Sequence, residues 1–145
     1  MKNLFTYYSG SLDEFISTAR SIRDNHLIKI QLAPSSLPEY LDYSHVLDNF
    51  AVKHIMHRHS GNRERLRGQE PVTLSDFLLI HEIVLNYDTC TSIQCKNGNP
   101  GLFYTKDIND YTYSLIEEIR NGHSELATTT LYKKKKKLTD AKSPI

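Results

Sequence analysis

The chain has 145 residues, 39% hydrophobic and 10% aromatic, which is enough for one compact domain with a real core and too little for two ordinary ones. Its formal charge of +1 is uneven: of 18 basic and 17 acidic residues, six lysines and one aspartate follow Tyr132, leaving a mildly acidic body of 12 basic against 16 acidic groups. No apolar run approaches the length that crosses a bilayer, no signal-peptide stretch follows Lys2, and Cys90 and Cys95 make neither a disulfide framework nor a metal set. The expectation is a soluble, cytoplasmic protein with no membrane partner. Residues 1–132 are expected to form a single domain, and 133–145 a basic, disordered tail.

In chain order, Ser11 caps a helix over residues 12–23, where Leu12, Phe15, Ile16, Ala19 and Ile22 recur at helical spacing. A strand follows at 26–32, and Pro34 and Pro38, with serines between them, break the pattern into a loop. The spacing predicts a second helix over about 44–59, with Leu47, Phe50, Ala51 and His54 in one stripe. On a wheel of about 100° per residue, His54 lies about 20° from Leu47, His57 about 60° off that line and His59 about 140° off. His54 is therefore expected to point inward, and the other two toward an edge or solvent. Ser60-Gly61-Asn62 closes this helix, 63–68 reads as a basic loop, and Thr73 with Asp76 caps a third helix carrying Phe77, Ile80, Ile83 and Val84. From there the period drops to two. Residues 91–96, 102–106, 111–120 and 125–133 read as four strands separated by Asn, Asp, Gly and Pro turns. Helices followed by an antiparallel meander predict an α+β domain, with N-terminal helices packed on a four-stranded antiparallel sheet.

The chemistry concentrates at His54, His57 and His59, three imidazoles within six residues, and at the later run Thr128-Thr129-Thr130-Leu131-Tyr132. Metal-independent RNA cleavage needs a base for the ribose 2′-hydroxyl, an acid for the leaving 5′-oxygen, and donors that steady charge on the phosphorane. Histidine suits the first two roles because its ordinary pKa lies near neutrality, and Arg, Lys, Thr and Tyr supply the donors. Lys53, Arg58, Arg63, Arg65 and Arg67 face only Glu64 in the local sequence, so positive potential gathers beside the histidines. Thr130 and Tyr132 share one face of their strand. For Arg120 the turn decides: a two-residue loop at Asn121-Gly122 turns it away from Thr130, and a three-residue loop through His123 brings it to the same face.

A helix ending in His-Ile-x-x-x-His, here His54-Ile55 and His59, precedes strands that carry Tyr104-Thr105-Lys106 and finish in Thr130-Leu131-Tyr132. This order resembles the barnase, EndoU, colicin D and RelE-like (BECR) nucleases, and looks closest to their small phage-associated and polymorphic-toxin branch. The matching stretch covers roughly residues 51–137. The resemblance implies a BECR-like fold and a metal-independent endoribonuclease without cofactor. Such enzymes cut transfer RNA or ribosome-bound messenger RNA as toxins or mobile-element effectors and are neutralised by an immunity or antitoxin protein. It implies His54, His59, Thr130 and Tyr132 as the catalytic set and Lys106 as a substrate-binding residue; Arg58 and Arg120 join from local charge and strand position. Three imidazoles stand where the family pattern carries two, so His57 competes for a place.

Each residue also has a plainer reading. His54 could be a core histidine bonded to a carbonyl, His59 a cation at a helix C-terminus, Lys106 a solvated turn residue, and Thr130 and Tyr132 ordinary strand residues. Lys133 to Lys137 could be a solvated run that adds nonspecific phosphate affinity. A metal site reads poorly: no Cys or carboxylate completes a set with His54 and His57, and His81-Glu82 lacks the second histidine of His-Glu-x-x-His. The competing function is a noncatalytic RNA- or protein-binding module, such as an immunity or adaptor protein. A cleft joining His54 to Thr130 and Tyr132 would separate the two.

Overall fold

A computed structural model describes residues 5–23 and 25–136. Strands β1 (Thr6–Tyr7), β2 (Ile28–Pro34), β3 (Ser44–Asp48), β4 (Thr89–Gln94), β5 (Pro100–Ile108), β6 (Tyr111–Arg120) and β7 (Glu125–Lys135) form one sheet. Its order is β1-β2-β3-β7-β6-β5-β4, parallel at β1–β2 and β3–β7 and antiparallel elsewhere. The α+β class holds. The sheet, however, has seven strands of mixed direction rather than four antiparallel ones, and three of them stand among the helices of the N-terminal half. β1 is two residues long, too short to carry a periodic signal, and β3 runs into a helix without a break.

Local chemistry sets the helix starts. Helix α1 (Leu12–Ser21) opens with a reciprocal cap: the Glu14 amide donates to the Ser11 hydroxyl at 3.2 Å, and the Ser11 amide donates to the Glu14 carboxylate at 2.9 Å. Helix α2 (Asn49–His59) begins at Asn49 and not near 44, because Asp48, in extended conformation, accepts from the Ala51 amide at 2.8 Å. Its buried positions are therefore Asn49, Ala51, Val52, Ile55 and His59, whereas His54 is exposed. This reverses the expected orientations of His54 and His59. Leu47, the reference position of the wheel, belongs to β3 and buries its side chain from there, so it does not mark the buried stripe of α2. A short helix α3 (Arg63–Leu66) follows in the segment expected to be loop. Thr73 and Asp76 do cap, but the third helix is split into a 3-10 turn, Leu74–Leu79, and α4 (Ile80–Leu85).

Phe15 and Ile16 of α1, Val52 and Ile55 of α2, and Ile80 and Ile83 of α4 pack with Leu115 and Leu131 of the sheet in one continuous core. Strand β7 continues past the expected boundary at Tyr132. Lys133 is buried, pairs with Asp76 at 2.8 Å and lies 4.4 Å from the Tyr111 ring centroid, so the first lysine of the run belongs to the fold. Lys134 and Lys135 continue the strand opposite Thr112 and Tyr111, and 137–145 of the expected tail lie outside the described residues. Among the described residues no helix is long and apolar enough to cross a membrane.

Candidate active site

One register slip decides which side chains meet. Arg120 of β6 pairs with Glu125 of β7 across a four-residue connection, 121–124, in which Ser124 takes a left-handed φ of 52°. Neither of the expected loop lengths is used. With unbroken alternation this register would put Thr130 opposite Leu115, on the core face. Instead Glu117 pairs with Thr128 and Ile116 with Thr130, leaving Thr129 as an extra residue in a β-bulge. The bulge resets the alternation, so Thr130 and Tyr132 share the face of Ile116, Glu118 and Arg120, while Leu131 turns to the core with Leu115.

That face and the flank of α2 enclose a cleft of about 800 Å³. Arg58, His54 and His59 line it from α2, Thr128, Thr129, Thr130 and Tyr132 from β7, and Glu118 and Arg120 from β6. Lys96 and Asn97 of the β4–β5 turn and Asp48 complete its polar lining. His57 is exposed on another part of α2 and does not line the cleft. Lys106 is also elsewhere. It pairs with Tyr113, whose phenol donates to Asp76 beneath the sheet, so its own face is the one turned away from the cleft, and its ammonium lies 3.7 Å from Asp88. Six of the seven site residues expected from the sequence thus share one cavity, and Lys106 does not.

The two cleft imidazoles have different surroundings. Loss of water on its cleft side, then the charge of Arg58, holds the exposed His54 below its ordinary pKa, which favours the neutral ring at neutral pH. His59 is buried, its Nδ1 lies 2.9 Å from Glu64, and its ring is tilted 32° against that of Tyr132 at 5.7 Å. Glu64 is fully buried and accepts from Arg67 at 2.9 Å with its other oxygen. A carboxylate at Nδ1 accepts the N–H there, so it fixes the tautomer and leaves Nε2 as the working nitrogen. Arg120 is held on two sides, by Glu118 at 2.9 Å and Asp48 at 3.3 Å. Burial would raise the Glu118 pKa, but hydrogen bonds from Asn99, Asn97 and Arg120 outweigh it and hold the carboxyl below its usual range. The expected basic patch is partly neutralised, since Arg67 pairs with Glu64 and Arg65 with Glu70 at 3.4 Å, while Lys53 donates to the Ile22 carbonyl at 2.6 Å.

A family model described as phage-Barnase-EndoU-ColicinE5/D-RelE like nuclease3 matches residues 30–141, well over half of the chain. The chain belongs to this nuclease family. No curated protein and no solved structure matches it. Membership of the BECR nucleases supports nuclease activity, and the cleft residues from Asp48 to Tyr132 lie within the matched span. Among the described residues no group of three or more His, Cys, Asp or Glu side chains is placed to hold a metal ion.

Sequence reasoning about the BECR site missed four residues. Glu64 reads as the odd acid in a basic loop, but the chain turns back at Gly61 and brings its carboxylate within reach of His59, five residues earlier. Asp48 is an N-cap residue type inside what was read as helix. Glu118 alternates with Arg120 on one strand, and Lys96 enters from a turn read as strand end. Only Glu118 follows from strand parity alone.

Proposed function

We propose that this BECR nuclease is an endoribonuclease that works by side-chain acid–base chemistry without a metal. The observation that carries the reading is the pairing of two differently housed imidazoles, His54 and His59, with Thr130 and Tyr132 in one open cleft. His54, neutral because its pKa is depressed, takes the proton from a ribose 2′-hydroxyl. The 2′-oxygen attacks phosphorus, the bond to the 5′-oxygen breaks, and protonated His59 gives its Nε2 proton to that leaving oxygen. The products are a 2′,3′-cyclic phosphate and a 5′-hydroxyl. Arg58 and Arg120, with the Thr130 and Tyr132 hydroxyls, steady the charge that builds on the phosphorane. The exposure of His54 on this cleft favours catalysis over a noncatalytic binding module, in which the same ring would be sealed in apolar packing. The physiological setting on this reading is a phage-associated or toxin-like effector cutting transfer or messenger RNA in the cytoplasm, with an immunity or antitoxin protein as its partner.

The test is incubation of the protein with total RNA in excess EDTA. Cleavage is expected to persist and to leave cyclic-phosphate ends, and His54→Ala is expected to slow it roughly 10²–10⁴-fold while the melting temperature holds. Cleavage that stops in EDTA and returns with a divalent ion would overturn the mechanism. A destabilised His54→Ala protein whose folded fraction cuts at the normal rate would return His54 to a structural role.

A further inference from the structure

Three residues of α2 recur at four-residue spacing along the cleft: Phe50, His54 and Arg58. They place an aromatic ring, an imidazole and a guanidinium in a row, about 6 Å apart along the helix axis. Phe50 has no role in the acid–base chemistry and is 40% exposed, although its helix neighbours Ala51 and Val52 are buried. It is supported from the side by Phe5, whose ring meets it edge-on, with centroids 6.0 Å apart and planes at 83°. The Lys29 ammonium lies 5.6 Å from the Phe5 centroid. Both phenylalanines line the cleft. Phe5 lies outside the span 30–141 that the family model matches, and Phe50 lies inside it.

A ligand that fits this row has a flat π-face at one end and an anion at the other, joined through the atoms that meet His54. An unpaired nucleotide has that form: base on Phe50, ribose at His54, phosphate at Arg58. We propose that the Phe5–Phe50 pair is a stacking shelf for one unpaired nucleobase beside the scissile phosphate, which makes single-stranded RNA the preferred substrate. The proposal rests on the ribonuclease reading for the identity of the strand. Stacking is sequence-tolerant, because every base has a π-face, whereas a duplex keeps its base faces covered. The shelf therefore selects for exposed bases and not for a particular one.

The experiment measures binding of a short 2′-O-methyl single-stranded oligoribonucleotide, which lacks the reacting hydroxyl, and of its duplex, by fluorescence anisotropy. Wild type is expected to prefer the single strand. Phe50→Ala should weaken that binding roughly 5- to 150-fold, the range for losing one base–aromatic stack. Phe50→Trp should restore it, and Phe50→Leu, which keeps apolar bulk and the melting temperature, should not. An abasic site in the oligonucleotide should cost wild type affinity and cost Phe50→Ala almost none. Phe50→Leu binding as tightly as wild type, or equal affinity for duplex and single strand, would overturn the shelf. Cleavage of unmodified RNA is scored in parallel: an active enzyme indifferent to Phe50 loses the shelf and keeps the ribonuclease reading. A protein that binds through Phe50 but cuts nothing keeps the shelf and loses that reading, and one that neither binds nor cuts loses both.

Discussion

His54 and His59 lie five residues apart on one helix, yet one faces an open cleft beside a guanidinium and the other is packed between a carboxylate and a phenol ring. On the proposed mechanism, that contrast is how two like groups serve as base and acid. It can be read out as pH dependence. The base must be unprotonated, and both desolvation and the Arg58 charge disfavour the imidazolium of His54, so the acid limb of kcat/KM is expected below the ordinary histidine value of about 6.5. Arg58→Gln removes a positive neighbour, which makes the imidazolium easier to form. The limb should move to higher pH, alongside a loss of kcat/KM from the missing phosphate contact. A wild-type limb at or above the ordinary histidine value would show that His54 is not the titrating base. On the same mechanism Glu64, whose carboxylate lies 2.9 Å from His59 Nδ1, acts one step back as a positioning residue. Glu64→Gln should lower kcat by roughly 10- to 100-fold with KM little changed, less than the 10²–10⁴ for losing a proton-transfer group itself. Glu64→Asp should recover part of it. A change confined to KM would place Glu64 in substrate binding instead.

At the scale of elements, what could be read from the sequence was whatever a single segment encodes. The Ser11 cap and apolar spacing of α1, the capping pair Thr73 and Asp76, and the alternation of β5, β6 and β7 all depend on neighbours a few residues apart, and all were legible. The parallel pairing of β3 with β7 depends on residues about eighty positions away and leaves no local trace. The bulge at Thr129 is similar: three consecutive threonines are uniform in β-propensity, so nothing in them marks where the register slips. Thr130 and Tyr132 line one cleft with Arg120, but the alternation that brings them together comes from the bulge and not from the turn. Asp48 is where element and site join, since it caps α2 with one oxygen and meets Arg120 with the other. Two substitutions separate these duties. Asp48→Asn keeps the cap acceptor and should leave the melting temperature close to wild type. Asp48→Ala loses the cap, worth about 1 kcal/mol, and should lower the melting temperature by roughly 2–4 °C. Equal destabilisation by both would mean that the Arg120 pair, and not the cap, is what Asp48 contributes to the fold.

For the whole molecule, β7 is the strand that joins the two halves of the sheet. It pairs with β3 on one side and β6 on the other, forms the cleft floor through its bulge, and carries ion pairs near both of its ends. Glu125 holds Lys29 of β2 at 2.6 Å and accepts from the Tyr7 hydroxyl of β1, while Lys133 holds Asp76 of the 3-10 turn at 2.8 Å. Burial by itself would raise both carboxyls. The Lys133 ammonium, the Thr73 amide and the Tyr113 hydroxyl outweigh it at Asp76, and Lys29 and Tyr7 outweigh it at Glu125, so both lie below the ordinary carboxyl range. A carboxyl whose folded pKa is depressed adds stability that is fully present above its unfolded value of about 4 and is lost as the pH falls through the folded one. Acid should therefore loosen β7 from the strands and turn it holds. Asp76→Asn tests this directly. At neutral pH it leaves Lys133 buried without its counter-charge, a loss on the order of 3–5 kcal/mol for one partner of a buried pair. On acidification the wild type should then lose melting temperature faster than the variant, because the variant no longer has that carboxylate to protonate. The two curves should converge as the pH falls through the depressed folded value of Asp76. Curves that remain parallel from neutral pH down would show that the Asp76–Lys133 pair does not hold β7 in place and that the acid sensitivity of the fold lies with other carboxyls.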